Sequence, residues 1–404
     1  MPVDKRILLI ANYPIKNPMH GGQKRAAAMY REYKKTFSAV KFVAVFVREH
    51  YPDYSAGDIY LTGKWAEKVR EDHLTSDIQV ARAMTENPSV KRRLKRLILS
   101  FKPDIIEVEQ VFPYIGLREV LKELGVSPKI VFNSQNAEAP MRRDIMAIGN
   151  AAQKDINAAV GIIHEAEAEL AQTADYISAV SQNDCSYYEG LGAKDCKLAP
   201  NGISATTASE KSLQYWKNYF SVRGVKKTVL FVASAHLPNV QGLNKVVGRR
   251  LGYLDFDTRL ILAGSVGRNF KEHIDASTNI LDKTFWRRAI DVGTLSEELL
   301  SGLLQFADVI LLPLVDGGGS NLKTAEAILS GKKVVGTTFA FRGYEQYQTL
   351  PNVWVTKDAR EFRAKVSEAL KTPSVDRTLN ESRLAEKVEW QYCLKPMISE
   401  VAKL

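Results

Sequence analysis

Residues 315–337 read VDGGGSNLKTAEAILSGKKVVGT, and they hold the chain's most concentrated set of side chains able to do chemistry. Ser320 is a good helix N-cap, which makes Asn321, Leu322 and Lys323 the first helical positions, and Gly331 the residue past the helix end. The first turn of a helix presents unpaired N–H groups and about half a positive charge, so Asp or Glu is stabilising there. Lys323 has the wrong sign, at a cost of a few tenths to ~1 kcal/mol. The glycines at 317–319 let a backbone approach a bulky group and add N–H groups of their own. Glycines, helix N-terminus and lysine converge as an anion site of phosphate type. Glu326 follows Lys323 by three positions and shares its face. Its carboxylate repels phosphate but accepts hydrogen bonds from paired hydroxyls such as those of a ribose. The plainer alternative is a solvated lysine beside glycines that only turn the chain.

The elements that must position this stretch are legible as alternating short apolar runs and helical segments. Strands are expected at 6–12, 40–47, 104–109, 129–134, 176–181 and 196–201, then at 228–234, 258–264, 289–293, 308–314, 333–337 and 353–356. Continuous apolar strands alternating with helices imply parallel sheets buried on both faces. Two such successions in 404 residues imply an α/β chain of two Rossmann-like domains, with a boundary in the breaker-rich stretch NGISATTASEKS at 201–212. Ligands of open parallel sheets bind beyond the carboxyl ends of the strands, so facing sheets would put the site in a cleft between domains.

Composition limits the function classes. Hydrophobic content of 45% and charged content of 25% are those of a soluble globular protein. No apolar run approaches the ~20 residues of a membrane span, and the N-terminus shows no signal-peptide pattern. Cys185, Cys196 and Cys393 are few, odd in number and without metal spacing, which points to a reducing cytosol. A net charge of +10 calls for an anionic partner.

The stretch FADVILLPLVDGGGSNLKTAEAILSGKKVVGTT resembles the donor-binding region of retaining glycosyltransferases with the GT-B fold, family 4 in particular. PDIIEVE, NSQNAEA, AELAQTADYISAVSQND with LAPNGI, and NYPIKNPMHGGQKRAAAMY resemble further segments of that family in the same order. The resemblance implies an N-terminal acceptor-side domain over 1–204 and a nucleotide-sugar donor domain over 205–387, with a last helix at about 388–404 packing back on the first. It implies that Glu326 holds the donor ribose and that Gly318, Gly319, Ser320, Asn321, Leu322 and Lys323 hold its diphosphate and sugar. Gly21 and Gly22 would approach the donor from the other domain, and Thr294 and Leu295 would line the nucleobase pocket. The implied co-substrate is a nucleotide diphosphate sugar, with no further cofactor and no metal.

Several positions depart from that pattern. Many members carry two glutamates eight positions apart, whereas here Gly318 stands at the earlier one. Many have an Arg…Lys pair after the second domain's first strand; FVASAHLPNVQG offers Ser234, His236 and Asn239 instead, leaving Lys323 as the main diphosphate cation. Arg268 and Arg342 either assist it or are surface arginines. The first domain's strand end often carries a histidine, where this chain has Glu107 and Glu109. Glu138 in NAEA is either a catalytic-side cleft carboxylate touching substrate hydroxyls or an ordinary acid at a helix N-terminus. Asp255 and Asp257 copy an Asp-X-Asp metal motif but precede a strand, where loops are commonly acidic.

SVKRRLKRLILSFKPD, at 89–104, is the sharpest charge cluster: Leu94, Leu97 and Ile98 make one helix face, and Lys91, Arg92, Arg93, Lys95 and Arg96 the rest. Such a helix is either a solvated face over the sheet or an attachment to anionic lipid at the inner membrane face. The expected activity is retaining transfer of a sugar to a glycan or lipid-linked acceptor, as in lipopolysaccharide, polysaccharide or glycolipid synthesis. The alternatives are a GT-B epimerase or phosphorylase and, on charge alone, a nucleic-acid-binding protein; no nucleic-acid motif supports the last.

Overall fold

The computed structural model describes residues 2–316 and 321–404, apart from the side chains of His73, His273 and Leu281. The chain divides into two compact units. One holds Met1–Pro200 together with Cys393–Leu404, and the other holds Asn201–Tyr392.

The first unit is built on seven parallel strands: β1 (Val3–Ala11), β2 (Phe37–Val47), β3 (Ile59–Leu61), β4 (Ile105–Glu109), β5 (Lys129–Ser134), β6 (Tyr176–Ala179) and β7 (Lys197–Leu198). Their order across the sheet is β3-β2-β1-β4-β5-β6-β7. Side chains alternate between sheet faces. Leu8 and Ile10 of β1, Ile106 and Val108 of β4 and Phe132 of β5 enter one apolar core with the helices Ser76–Glu86, Pro88–Phe101 and Phe112–Leu124. The alternate positions of β4 and β5 carry Glu107, Glu109 and Asn133, all fully buried. Strand β3 escapes sequence reading because three residues are too few to show a period. Strand β7, expected over 196–201, is only two residues long.

The second unit holds β8 (Lys227–Val232), β9 (Thr258–Ala263), β10 (Ala289–Gly293), β11 (Val309–Leu312), β12 (Lys333–Thr337) and β13 (Val353–Thr356), ordered β10-β9-β8-β11-β12-β13 and parallel throughout. The sheet is covered on both faces. Val229, Phe231, Leu260, Leu262, Val309 and Leu311 enter one core, while Leu230, Ile261, Ile310 and Leu312 enter the other. Strand β11 stops two residues short of the expected 314 because Pro313 has no N–H to donate to a ladder.

The helix Trp390–Val401 begins in the second unit, where Trp390 N–H donates to Ile203 O at 3.1 Å. From Cys393 onward it belongs to the first unit. Leu394, Met397 and Val401 are buried there, and the Ser178 hydroxyl lies 3.3 Å from Met397 Sδ.

Candidate functional site

In the second unit the chain runs from β8 outward through β9 and β10, then returns to lay β11, β12 and β13 on the other side of β8. The reversal of direction falls between β8 and β11, where open α/β sheets leave a crevice outside their strand ends. The segment after β8 leads into the helix Leu237–Gly242, and the segment after β11 into the helix Leu322–Leu329. Lys323 Nζ donates to Asn239 Oδ1 at 2.8 Å and ties the two sides together. Asn239 is buried, and its amide nitrogen donates to Ser234 O at 3.0 Å and to Ser234 Oγ at 3.3 Å. Gly242 lets the first of these helices pack against the chain leaving β11: a Cβ there would lie 2.1 Å from Pro313 O.

Burial lowers the Lys323 ammonium to about 8, with the Glu326 carboxylate pulling partly the other way. A half-buried ammonium held by one neutral amide is short of an anion. His236, partly exposed at the N-cap of Leu237–Gly242, is lowered by partial desolvation first and then by the Lys323 charge, which places it in the same electrostatic site. Ser234, His236, Asn239, Lys323 and Glu326 are therefore gathered at one strand-end crevice.

The cap of the lysine-bearing helix differs from expectation. Asn321, not Ser320, is the N-cap, with its Oδ1 accepting from Lys323 N–H at 3.1 Å. Asn and Ser cap about equally well, so the sequence did not separate them. Lys323 is then the second helical residue, still in the first turn. Gly318, Gly319 and Ser320 lie outside the described residues. Thr294 and Leu295 follow β10, two strands away from β8, about 10 Å at the usual strand spacing. Arg268 is exposed on the helix Val266–Asp275 and pairs with no side chain among the described residues. Asp257 is used locally, in an ion pair with Lys226 at 3.4 Å, and Asp255 O accepts from Thr258 N–H at 2.9 Å.

The first unit has its own reversal of direction, between β1 and β4. Gly21 and Gly22 open the helix Gly21–Thr36, whose N-cap His20 forms a reciprocal capping box with Gln23. Gly22 is packed inside this unit: a Cβ would lie 2.8 Å from Gln135 Oε1 and 3.1 Å from Tyr13 OH. That contact accounts for its being glycine without a donor. Behind it lies a buried polar network. Arg25 donates to Asn133 Oδ1 at 2.8 Å; Asn133 and Gln135 donate to Glu109; Tyr33 donates to Glu107. Burial raises Glu107 well above an ordinary carboxyl, with the Glu109 charge adding to it.

Glu138 is the first residue of the helix Glu138–Ile148 and only 2% exposed. Of the two sequence alternatives, the structure shows the helix N-terminus, four residues past the end of β5. The first-turn N–H groups are taken by another acid: Glu167 accepts from Glu138 N–H at 2.7 Å and from Ala139 N–H at 3.2 Å. Glu138 Oε1 accepts from Gln110 Nε2 at 3.3 Å and from Asn136 Nδ2 at 3.2 Å. Gln110 sits in the left-handed backbone region (φ 67°), a conformation that costs a non-glycine residue energy and concentrates at functional sites. Sequence reasoning missed Gln110, Asn12, Asp77 and Glu167; each acts across elements far apart in sequence.

On the basic helix Pro88–Phe101, Leu94 and Ile98 are buried in the core and Leu97 packs against it, so the apolar face is used within the fold. Lys91 and Lys95 both pair with Glu123, while Arg92 and Arg96 stay exposed. Among the described residues no helix is long and apolar enough to cross a membrane.

No protein-family model and no curated protein matches the sequence. Solved structures do. Anabaena HepE, solved in complex with UDP, is 12% identical with a TM-score of 0.65, covering 99% of this chain and 100% of its own. Trehalose-6-phosphate synthase OtsA is 14% identical with a TM-score of 0.66 and 99% coverage of both chains. Sucrose-phosphate synthase from Thermosynechococcus elongatus is 12% identical with a TM-score of 0.65, covering 99% and 98%. Over nearly its whole length the chain has the GT-B fold of glycosyltransferases that use nucleotide sugars.

Proposed function

We propose that the protein is a retaining glycosyltransferase of family 4 type, moving a sugar from a nucleoside diphosphate donor to a glycan or lipid-linked acceptor. The observation that carries this reading is the Lys323–Asn239 bridge across the β8/β11 crevice, which presents a partly desolvated ammonium where a diphosphate would lie. The first-turn N–H groups of Leu322–Leu329 add their partial charge to the same point. Glu326, one turn on, accepts the ribose hydroxyls, and the base extends toward Thr294 and Leu295. HepE has been solved with UDP-glucose, so a uridine donor is the first to try.

In this mechanism the diphosphate leaves from one face of the sugar while the acceptor hydroxyl arrives on that same face, which keeps the anomeric configuration. The C1–O bond to phosphate breaks, the C1–O bond to the acceptor forms, and the departing phosphate oxygen takes the acceptor's proton. Lys323 and the helix N-terminus stabilise the charge growing on the leaving group, which is the work a metal does in other transferases. The acceptor occupies the first unit near Glu138. The exposed Arg92 and Arg96 would draw that unit to anionic lipid at about 1 kcal/mol per residue near the surface.

A thermal-shift panel of UDP, GDP, ADP and their sugars tests the donor half, since a ligand at a hundredfold excess over its Kd stabilises by ~2.7 kcal/mol. Lys323→Ala should then lower turnover by ~10²-fold or more. Undiminished transfer by that variant would remove the lysine from the mechanism. Release of an altered nucleotide sugar without an acceptor would favour the epimerase alternative.

A further inference from the structure

Glu138 has a feature that the transfer reaction leaves unused. Its two amide donors, Gln110 and Asn136, both address Oε1, and among the described residues no donor addresses Oε2. The cation facing it, Arg142 on the same helix, is committed elsewhere: it donates to Asp77 Oδ2 at 2.9 Å and to Leu74 O. The other titratable groups around it are acidic or neutral. They are Asp77 from the helix Ser76–Glu86, Glu167 from the helix Gln153–Thr173, Tyr188 from the helix Gln182–Gly190, and Tyr13 after β1. A carboxylate with no cation of its own, beside two other acids and almost without solvent, is costly to ionise. Burial above all, and the Asp77 charge less strongly, raise this carboxyl to about 8.

A second orphan lies close by. Asn12, 7% exposed just past the end of β1, donates to Asp77 O at 3.4 Å, while its buried Oδ1 accepts from no donor among the described residues. Asp77 also faces His20 and Tyr51 electrostatically, so the loops after β1, β2 and β5 meet around it. An uncommitted acid oxygen and an uncommitted amide oxygen, beside the rings of His20 and Tyr51 (centroids 6.3 Å apart), suit a neutral polyhydroxylated ring.

We propose that Glu138 acts on the acceptor as an un-ionised acid: the proton on Oε2 is donated in a hydrogen bond to a sugar oxygen, and Asn12 Oδ1 accepts from a neighbouring hydroxyl. The acceptor's first ring is then a neutral sugar that offers an oxygen, not an ammonium, to Glu138. This rests on the reading that the first unit binds the acceptor.

The test is a carboxyl NMR titration of the full chain labelled with ¹³C at glutamate side chains, with Glu138 identified by the signal lost in E138Q. The signal is expected to titrate near pH 8 and to move higher when glucose, the probe sugar, is added to saturation. Titration in the ordinary carboxyl range overturns the proposal, and an unmoved or lowered midpoint in glucose overturns the sugar contact. Asn136→Ala gives a second handle if E138Q folds poorly, because removing an amide that favours the charged form should move the same titration upward. In transfer assays with donor saturating at each pH, the wild-type acceptor KM should rise above about pH 8, and in E138Q it should not. Failure of the transferase reading would appear separately, as absence of any nucleotide shift, with the Glu138 titration unaffected.

Discussion

The Lys323 ammonium makes donor affinity depend on pH in a way that can be worked out in advance. Its folded-state value of about 8 lies below the usual lysine value of 10.5 because burial disfavours the charge. If the diphosphate binds only the charged form, the apparent Kd scales as one plus the ratio of neutral to charged lysine. That factor is about 1.1 at pH 7 and about 11 at pH 9, so UDP-glucose should bind about tenfold more weakly at the higher pH. The diphosphate of UDP-glucose does not itself titrate in this window, which makes it a cleaner ligand than UDP. Calorimetry across the window in wild type and Lys323→Met is the assay. The variant should bind weakly and with a flat profile, having lost a charge-assisted contact of about 1.5–3 kcal/mol. A flat wild-type profile, or a variant that keeps the slope, would refute the assignment. The same shift has a consequence for stability. The folded state resists the lysine proton, so the penalty is fully present below about pH 8 and is relieved as pH rises toward 10.5. Lys323→Met should therefore melt at a higher temperature than wild type at neutral pH while losing transfer.

Other outcomes follow from specific contacts. Gly242→Ala should destabilise the second unit by more than about 2 kcal/mol in denaturant unfolding, because the added methyl would sit 2.1 Å from the rigid Pro313 carbonyl. Glu107→Gln should stabilise the protein at neutral pH and above. The wild-type carboxyl is raised, so its favourable state is complete below about pH 4.5 and is lost as pH climbs through the folded value, a loss that amide cannot suffer. Glu167→Ala should cost about 1–3 kcal/mol, since it strips a buried acceptor from the N–H groups of Glu138 and Ala139 and from two tyrosine hydroxyls. Transfer should persist in excess EDTA; loss restored only by a divalent cation would move charge stabilisation from Lys323 to a metal.

The second sheet was readable because its strands are uninterrupted apolar runs such as TVLFVAS and DVILLPL, whose burial on both faces leaves no other interpretation. Its crevice was readable because an unfavourable charge, Lys323, sits in a first helical turn. Asn239 was visible only as a polar residue near a strand end; that it holds Lys323 across 84 positions is a product of sheet order, which no local pattern encodes. The first unit was harder. IIEVE reads as a buried strand carrying two charges, a local conflict that marked the place without revealing Tyr33, Arg25 and Asn133 as the groups that resolve it. Asp77, at the centre of the acid cluster, lies in an unremarkable helix start and becomes visible only once Asn12, Arg142 and Glu138 are folded around it.

The split composition of the first unit bears on how the protein is born. Its β1–β7 sheet is translated before the second unit, yet Leu394, Met397 and Val401, which are buried in it, emerge only after about 190 further residues. At roughly 5–20 residues per second, a ribosome leaves that seam open for about 10–40 s. During that interval the nascent first half is an incomplete fold with apolar surface uncovered, and it depends on chaperones or on its own partial stability until the helix Trp390–Val401 arrives.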